Sequence, residues 1–290
     1  MDTAITYRGR AIDKGKIDQI KQVSDLLWDR GRTAISQELC RQWEWRQPNG
    51  QLKDIVCRGL LLKLERAGHI RLPRRKRAQH YNGRNLRVLP LSIGTDPVQG
   101  PLEDWLPIQW RQVRRSGAEE SLFNSLMATY HYLGYCQPVG EHLKYLAYSR
   151  GRPIACLSWG SAAWKVAARD RFIGWPAKIR ERNLYRIINN TRYLILPFVH
   201  VPNLASYLLA HNLRLLLQDW PRVYAHQPVL VETFVQEPYV GTCYKAANWI
   251  RLGTTRGRGK YDSKNRCDQP VKAVFVYPLH KHFRRILCHG

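Results

Sequence analysis

No Cys-x-x-Cys pair occurs anywhere in the 290 residues, and the seven cysteines are odd in number and irregularly spaced. A zinc ribbon and a disulfide framework are both disfavoured, and reduced, mostly buried thiols in a cytoplasmic protein are expected. No apolar run approaches the roughly 18–20 residues of a membrane helix, so no membrane partner is expected. The opening residues, MDTAITYRGRAIDKGK, lack an apolar h-region, and a secretory signal is not expected either. There is no internal repeat or low-complexity tract. No HUH, DDE-spaced or HNH nuclease signature stands out. Acidic side chains are scarce, with 22 Asp and Glu against 47 Lys and Arg. A surplus of +25 repels itself in a folded chain and points to a polyanionic partner. Disorder is the one class that composition excludes from the other side. With 44% hydrophobic and 11% aromatic residues the chain can bury a sizeable core.

The charge is unevenly spread. Residues 1–90 hold 20 Lys and Arg against 9 acids, residues 91–250 hold 17 against 11, and residues 251–290 hold 10 against 2, so the two ends are the most cationic parts. Residues 89–107, LPLSIGTDPVQGPLEDWLP, are rich in Pro and Gly and poor in basic charge. The expected organisation is a basic domain over 1–88, a linker over 89–106 and a second domain over 107–290.

In the first segment Ile17, Ile20, Val23 and Leu27 lie at helical spacing. Gly31 breaks that helix, and Thr33 is the expected N-cap of a second, carrying Ile35, Leu39 and Trp43. After the turn Pro48-Asn49-Gly50, Leu52, Val56, Leu60 and Leu64 form the apolar stripe of a third helix that Gly68 stops. His69 to Pro73 reads as a short strand, followed at once by Arg74-Arg75-Lys76-Arg77. Three helices, a strand and a cationic loop are the order of a winged helix-turn-helix. In that fold the third helix enters the major groove and the wing touches backbone. The plainer alternative is a small helical bundle with solvated charges.

The second segment predicts a strand over 108–113, a helix over 119–133, and a hairpin of strands 142–149 and 153–159 turning at Arg150-Gly151-Arg152. A helical or irregular stretch over 161–182 breaks at Gly174-Trp175-Pro176. Strand 191–199, a helix from Pro202 through Leu217, strand 228–235, a short helix over 242–249 and strands 250–254 and 271–278 complete it. The fold class expected is α+β, a winged-helix-like domain followed by a mixed sheet with helices on both faces.

That order resembles the GCN5-related N-acetyltransferase fold. Such enzymes carry a phosphate-cradling turn, roughly Arg/Gln-x-x-Gly-x-Gly/Ala, at a helix N-terminus, where free N–H groups face a pyrophosphate. Here His200-Val201-Pro202-Asn203-Leu204-Ala205 stands in that place: Ala205 matches, while His200 and Asn203 replace the cation and the inner Gly. Their Tyr-x-x-x-Gly-Phe corresponds to Tyr244-Lys245-Ala246-Ala247-Asn248-Trp249, with Asn248 for Gly. The resemblance implies coenzyme A contacts at His200, Asn203 and Ala205 if such a site persists, and Tyr244 as the acid that protonates the leaving thiolate. A narrower similarity is to the DruA family of the Druantia anti-phage defence system, whose domain also occurs in or beside transposases. It rests on GRPIACLSWGSAAWKVAARDRFIGW (151–175), NNTRYLILPFVHVPNLAS (189–206), VLVETFV (229–235), GTCYKAANWIRLGTTRGRGK (241–260) and YPLHKHFRRIL (277–287). The resemblance implies a nucleic-acid-directed role in phage defence or in a mobile element.

Individual residues sharpen this. Thr254 to Lys260 is a Gly-spaced cationic loop in which Gly permits close phosphate approach and Arg256, Arg258 and Lys260 supply charge. It lacks the Gly-Lys-Ser/Thr ending of a nucleoside-triphosphate loop. Of the ten tryptophans most belong to the core, with Trp110, beside Arg111, Arg114 and Arg115, the exception expected to stack on bases. The remaining expected phosphate contacts are Lys53, Arg58, Arg74, Arg75, Lys76, Arg77, Arg284 and Arg285. Glu232 sits mid-strand in an apolar run, where a carboxylate is costly unless paired or protonated. Four readings stay open: general base beside Tyr244, Mg²⁺ ligand with Asp170 or Glu141, structural partner of an arginine such as Arg192, or a direct nucleic-acid contact. Asn189-Asn190 reads as a turn, His280, His282, His289 and Cys288 as a weak metal candidate on a strand face, and Cys243 as a buried thiol. The function expected is a nucleic-acid-binding component, DNA before RNA, acting with other defence or transposition proteins and needing no cofactor. The alternative is an enzyme, either a metal-dependent nuclease using Glu232 with Mg²⁺ or an acyltransferase using Tyr244 with acetyl-CoA.

Overall fold

The computed structural model describes residues 5–7, 10–46, 50, 52–74, 93–113, 117–257 and 267–289. Its contacts divide the chain into two units, Met1–Asn85 and Leu86–Gly290.

The first unit opens on a hairpin of β1 (Ile5–Tyr7) and β2 (Arg10–Ile12), too short to be legible as a period-2 pattern. Three helices follow, α1 (Lys14–Leu26), α2 (Arg32–Gln42) and α3 (Asp54–Arg66). The Asp13 carboxylate accepts from the Lys16 N–H at 2.8 Å and caps α1. The N-cap of α2 is Gly31 rather than Thr33, which lies inside the first turn. Gly31 has φ 86° and ψ 174°, a region essentially confined to glycine, so the chain reverses there. Ile20, Val23, Ile35, Leu39, Leu60 and Leu64 meet in one core. Arg32 locks it, donating to both Glu65 oxygens at 3.1 Å and to the Pro73 carbonyl at 2.7 Å. His69 to Pro73 buries Ile70 and Leu72 alternately but makes no ladder among the described residues, so the expected strand is not observed. Most of the expected wing, including Arg75, Lys76 and Arg77, lies outside the described residues.

The second unit contains β3 (Val98–Gln99), β4 (Gln109–Val113), α4 (Ala118–Tyr130), β5 (His142–Ser149), β6 (Arg152–Ser161), α5 (Ala167–Ile173) and α6 (Ala177–Asn183). It continues with β7 (Ile187–Ile195), β8 (Val199–His200), α7 (Leu204–Tyr224), β9 (Leu230–Gln236), α8 (Thr242–Ala246), β10 (Ile250–Thr254), β11 (Lys272–Pro278) and α9 (Phe283–His289). Seven strands form one sheet in the order β10-β11-β9-β7-β6-β5-β4. Every neighbouring pair is antiparallel except β7 and β9. A parallel pair requires a crossover, and α7 supplies it. Its Leu208, Leu209, Leu213, Leu216 and Trp220 are buried at helical spacing, each contributing about 1.5–3 kcal/mol of hydrophobic stabilisation. Consecutive residues of β5 reach opposite faces of the sheet. Lys144 donates to Glu120 of α4 at 2.9 Å, and the Tyr145 phenol donates to Asp219 of α7 at 2.9 Å. Helices therefore cover both faces of a mixed sheet, an α+β architecture.

Several local expectations are corrected. Strand 191–199 is two strands, because the chain bends at Pro197 and Phe198 and β8 pairs in parallel with β3. The segment 89–106, described from residue 93, thus carries a strand whose Val98 is buried. Asn189 and Asn190 are not a turn: they sit in β7, paired with Gly160 and Trp159. Helix α7 continues past Leu217 to Tyr224, with Pro221 in its last turns. His280 and His282 lie in the turn before α9 rather than on a strand, with the His282 N–H donating to His280 Nδ1 at 3.0 Å.

Candidate functional site: a cleft between two parallel strands

The pairing of β7 with β9 runs from Ile187 opposite Leu230 to Asn190 opposite Thr233 and stops there, although both strands continue. On the other edge of β7, Arg192 faces Ser158 and Asn190 faces Trp159, which leaves Thr191 as an extra, bulged residue. The bulged strand bends away from its parallel neighbour. The opening is a cleft of about 530 Å³ lined by 190–195 of β7, 233–235 of β9, 130–133 at the end of α4, Ala205 and 238–244. Gly241 shapes its loop. It has φ 73°, and a Cβ there would lie 2.8 Å from the Phe275 ring.

The lining contains five tyrosines, one arginine, one histidine and no Asp or Glu. The bulge also resets the alternation of β7. Asn190 and Tyr193 both meet Tyr244, the first accepting its phenolic proton at 2.7 Å, the second edge-on at 6.4 Å between rings. Arg192, between them, turns to the end of α4. Its guanidinium donates to the Gly134 carbonyl at 3.3 Å and the Thr191 carbonyl at 2.8 Å and pairs with no acid among the described residues. Burial holds its pKa below the usual arginine range. His131 Nδ1 accepts the Leu133 N–H at 3.1 Å, and burial, then the nearby Arg192 charge, pushes that imidazole down to about 4. Lys272, paired with Gln236 at the open end of β9, is likewise lowered by burial and by Arg192. The rim is aromatic. Tyr132 stacks on His131 at 4.8 Å and meets Tyr239 at 5.1 Å, with the two tyrosines 48% and 54% exposed.

Of the residues assigned to coenzyme A by resemblance, Ala205 lines this cleft. Asn203 has φ 62° and Asn248 φ 62°, so both asparagines that replace Gly adopt the left-handed conformation a Gly would take. His200 and Asn203 are exposed, and Ala205 accepts the Tyr193 phenolic proton at 2.7 Å. The turn carries His200 where the acyltransferase pattern has a cation. Tyr244 is buried and commits its proton to Asn190, and burial pushes its pKa far up, a poor setting for a general acid. The Cys243 thiol is pushed up to about 11 by burial, so it is not a thiolate.

Glu232 does not meet Arg192. Its partner is Arg169 of α5, whose Nη1 donates to Oε2 at 2.8 Å with both side chains 0% exposed. Oε1 accepts the Ala163 N–H at 2.8 Å. Arg169 also donates to Asp170 at 2.8 Å and to the Ala163 carbonyl at 2.8 Å, and Asp170 accepts from Trp175 at 3.0 Å. Burial raises the Glu232 pKa, and Arg169 and the Ala163 N–H oppose that rise. With each oxygen engaged, the carboxylate is a structural pin between β9 and the α5 segment. Glu141 is elsewhere, 2.8 Å from His226 Nε2. Among the described residues no three His, Cys, Asp or Glu side chains gather as a metal cage. No described helix is long and apolar enough to cross a membrane.

The expected phosphate contacts divide into groups. Arg75, Lys76, Arg77, Arg114, Arg115, Arg258 and Lys260 lie outside the described residues. Arg58 is paired with Asp54 at 3.1 Å and Arg111 with Glu119 at 2.9 Å, Lys53 is the N-cap of α3, and Arg284 lies 4.3 Å over the Phe172 ring. Arg74, Arg256 and Arg285 are exposed. Gly257, expected to admit a phosphate, instead admits its own chain: a Cβ there would lie 2.6 Å from the Gln269 carbonyl. Trp110 is partly buried against the core, donating to His211 Nδ1 at 3.3 Å, while Trp28 and Trp164 are exposed, Trp164 by 60%. Sequence reasoning took Arg192 only as a structural partner and passed over Tyr132 and Tyr239. The one signal for Arg192 was a charge inside the apolar run TRYLILP.

No curated protein matches the chain. Among solved structures it is similar to a Drosophila melanogaster polyamine N-acetyltransferase, at 16% identity over 60% of this chain and 100% of that one, TM-score 0.37. It is similar also to an N-acetyltransferase from Staphylococcus aureus Mu50, at 10% identity over 60% and 98%, TM-score 0.36. A third is aminoglycoside acetyltransferase AAC(6')-Ib with coenzyme A and kanamycin, at 14% identity over 60% and 95%, TM-score 0.40. Likenesses of this size carry no activity across. The family model described as Druantia protein DruA matches residues 63–267, well over half of the sequence, and the chain belongs to the DruA family.

Proposed function

We propose that this DruA-family chain is a nucleic-acid-binding component of an anti-phage defence or transposon-related system. The observation that carries the reading is the charge of +25, with basic residues richest at the two ends of the chain. The N-terminal unit, read as a winged helix, grips duplex through α3 and the Arg74 to Arg77 wing. The C-terminal cations add phosphate contacts, with DNA preferred to RNA. The test is retention on heparin and on oligonucleotides across a salt series. Tight binding that falls steeply with salt is expected, and replacing Arg74, Arg75, Lys76 and Arg77 with Ala lowers both affinity and slope. Passage through the column without retention at moderate ionic strength overturns the reading.

The alternative, acetyl-CoA-dependent acyl transfer, draws on the parting of β7 and β9 with Tyr244 in its wall. Calorimetric titration with acetyl-CoA decides it. Heat at millimolar ligand supports transfer, and its absence removes that reading.

A further inference from the structure

Arg192 in the cleft wall and Lys272, opposite Gln236 at the open end of β9, have no acidic partner among the described residues, and the Arg192 charge reaches Lys272. Glu237, the acid of the adjoining loop, is exposed and makes no ion pair among the described residues. A desolvated cation beside a second cation is unfavourable until an anion joins them. Arg192 Nη2 makes no hydrogen bond among the described residues, and its other nitrogens are oriented by two carbonyls, as a prepared anion clamp would be. Beside this clamp the ledge of His131, Tyr132 and Tyr239 offers π-faces at the mouth. One phosphate-binding cation next to an exposed aromatic ledge, around a cleft of about 530 Å³, matches the chemistry of a nucleotide whose base is out of the duplex.

We propose that the cleft between β7 and β9 captures one unpaired nucleotide of a nucleic-acid strand, its phosphate on Arg192 and its base on the Tyr132–Tyr239 ledge. This rests on the nucleic-acid reading above and adds strand state to it. The capture is indifferent to base identity. Asn190 donates to the Ser158 carbonyl and accepts from Tyr244, and Thr233 donates to the Asn190 carbonyl, so these floor groups are already occupied. Stacking and a phosphate contact tolerate any base.

The test uses the full chain and fluorescein-labelled 12-nucleotide oligothymidylate and oligodeoxyadenylate, with a mixed-sequence 12-base-pair duplex as reference, by anisotropy over a salt series. Arg192→Met is expected to weaken both single strands roughly tenfold. It also lowers their salt slope by about 0.7, with duplex affinity unchanged. Tyr132→Ala/Tyr239→Ala, at exposed positions, is expected to weaken the single strands by a similar factor at an unchanged slope. Single-strand affinities equal to wild type in both variants overturn the proposal while leaving the binding function intact. A wild-type chain that binds neither strand nor duplex overturns the function itself. Saturating acetyl-CoA that binds the chain yet leaves single-strand affinity unchanged assigns the cleft to that thioester and overturns the nucleotide.

Discussion

Arg169 and Arg192 are both drawn out of water in the same unit, and they are used in opposite ways. Arg169 is fully buried and surrounded by Glu232, Asp170 and the Ala163 carbonyl. Arg192 is half-buried, oriented by two carbonyls and left without an acid among the described residues. A charge that meets its counter-charge inside the protein is fixed structure. A charge that is positioned but not neutralised keeps its field for something that arrives from outside.

The strongest way to break this contrast is Arg169→Met, which strands the Glu232 carboxylate. A loss of about 3–5 kcal/mol is expected from denaturant unfolding. Arg169→Met/Glu232→Leu should recover most of it, because the uncompensated charge is gone. A single-variant loss under about 1 kcal/mol would place Arg169 in the same class as Arg192. Next in size is Gly241→Ala, which forces a side chain into positive φ and against Phe275. A cost of about 1–3 kcal/mol in the unfolding midpoint is expected.

Arg192→Met is the sharpening experiment on the other arm. Its unfolding free energy should stay within about 1 kcal/mol of wild type, since a repulsion with Lys272 is relieved as two hydrogen bonds are lost. The smallest effect is a pH dependence. His131 titrates near 4 in the folded chain against about 6.5 unfolded, so between those values only the unfolded chain takes up the proton. This residue therefore makes stability fall as pH drops through that window. In Arg192→Met its NMR titration should move upward only part of the way, because burial is the larger cause. A full return to 6.5 would make Arg192, not burial, the dominant influence.

Much of the sheet was legible. The hairpin of β5 and β6 follows from alternation around Arg150-Gly151-Arg152, and α7 from leucines at helical spacing. The blocks that resemble the DruA family fall mostly inside the matched region, residues 63–267. The site was less legible. Asn189-Asn190 looked like a turn because asparagine favours turns, yet pairing with β6 holds both in a strand. Asp170 was read beside Glu232 only as a Mg²⁺ ligand, and nothing local marks its neighbour Arg169 as the partner of a residue 63 positions away. Arg192 was matched to Glu232 because they are the conspicuous charges in two apolar strands, but a one-residue bulge at Thr191 turns it elsewhere.

Net charge, the strand and helix periods and the family likeness belong to the amino-acid order alone, because each depends on composition or on neighbours a few residues apart. Which arginine is neutralised, where the parallel strands part and which tyrosines stand at the opening were decided by the tertiary structure. Electrostatic and packing energies fall off through space rather than along the chain, so partners far apart in the sequence acquire their roles only when the sheet brings them together.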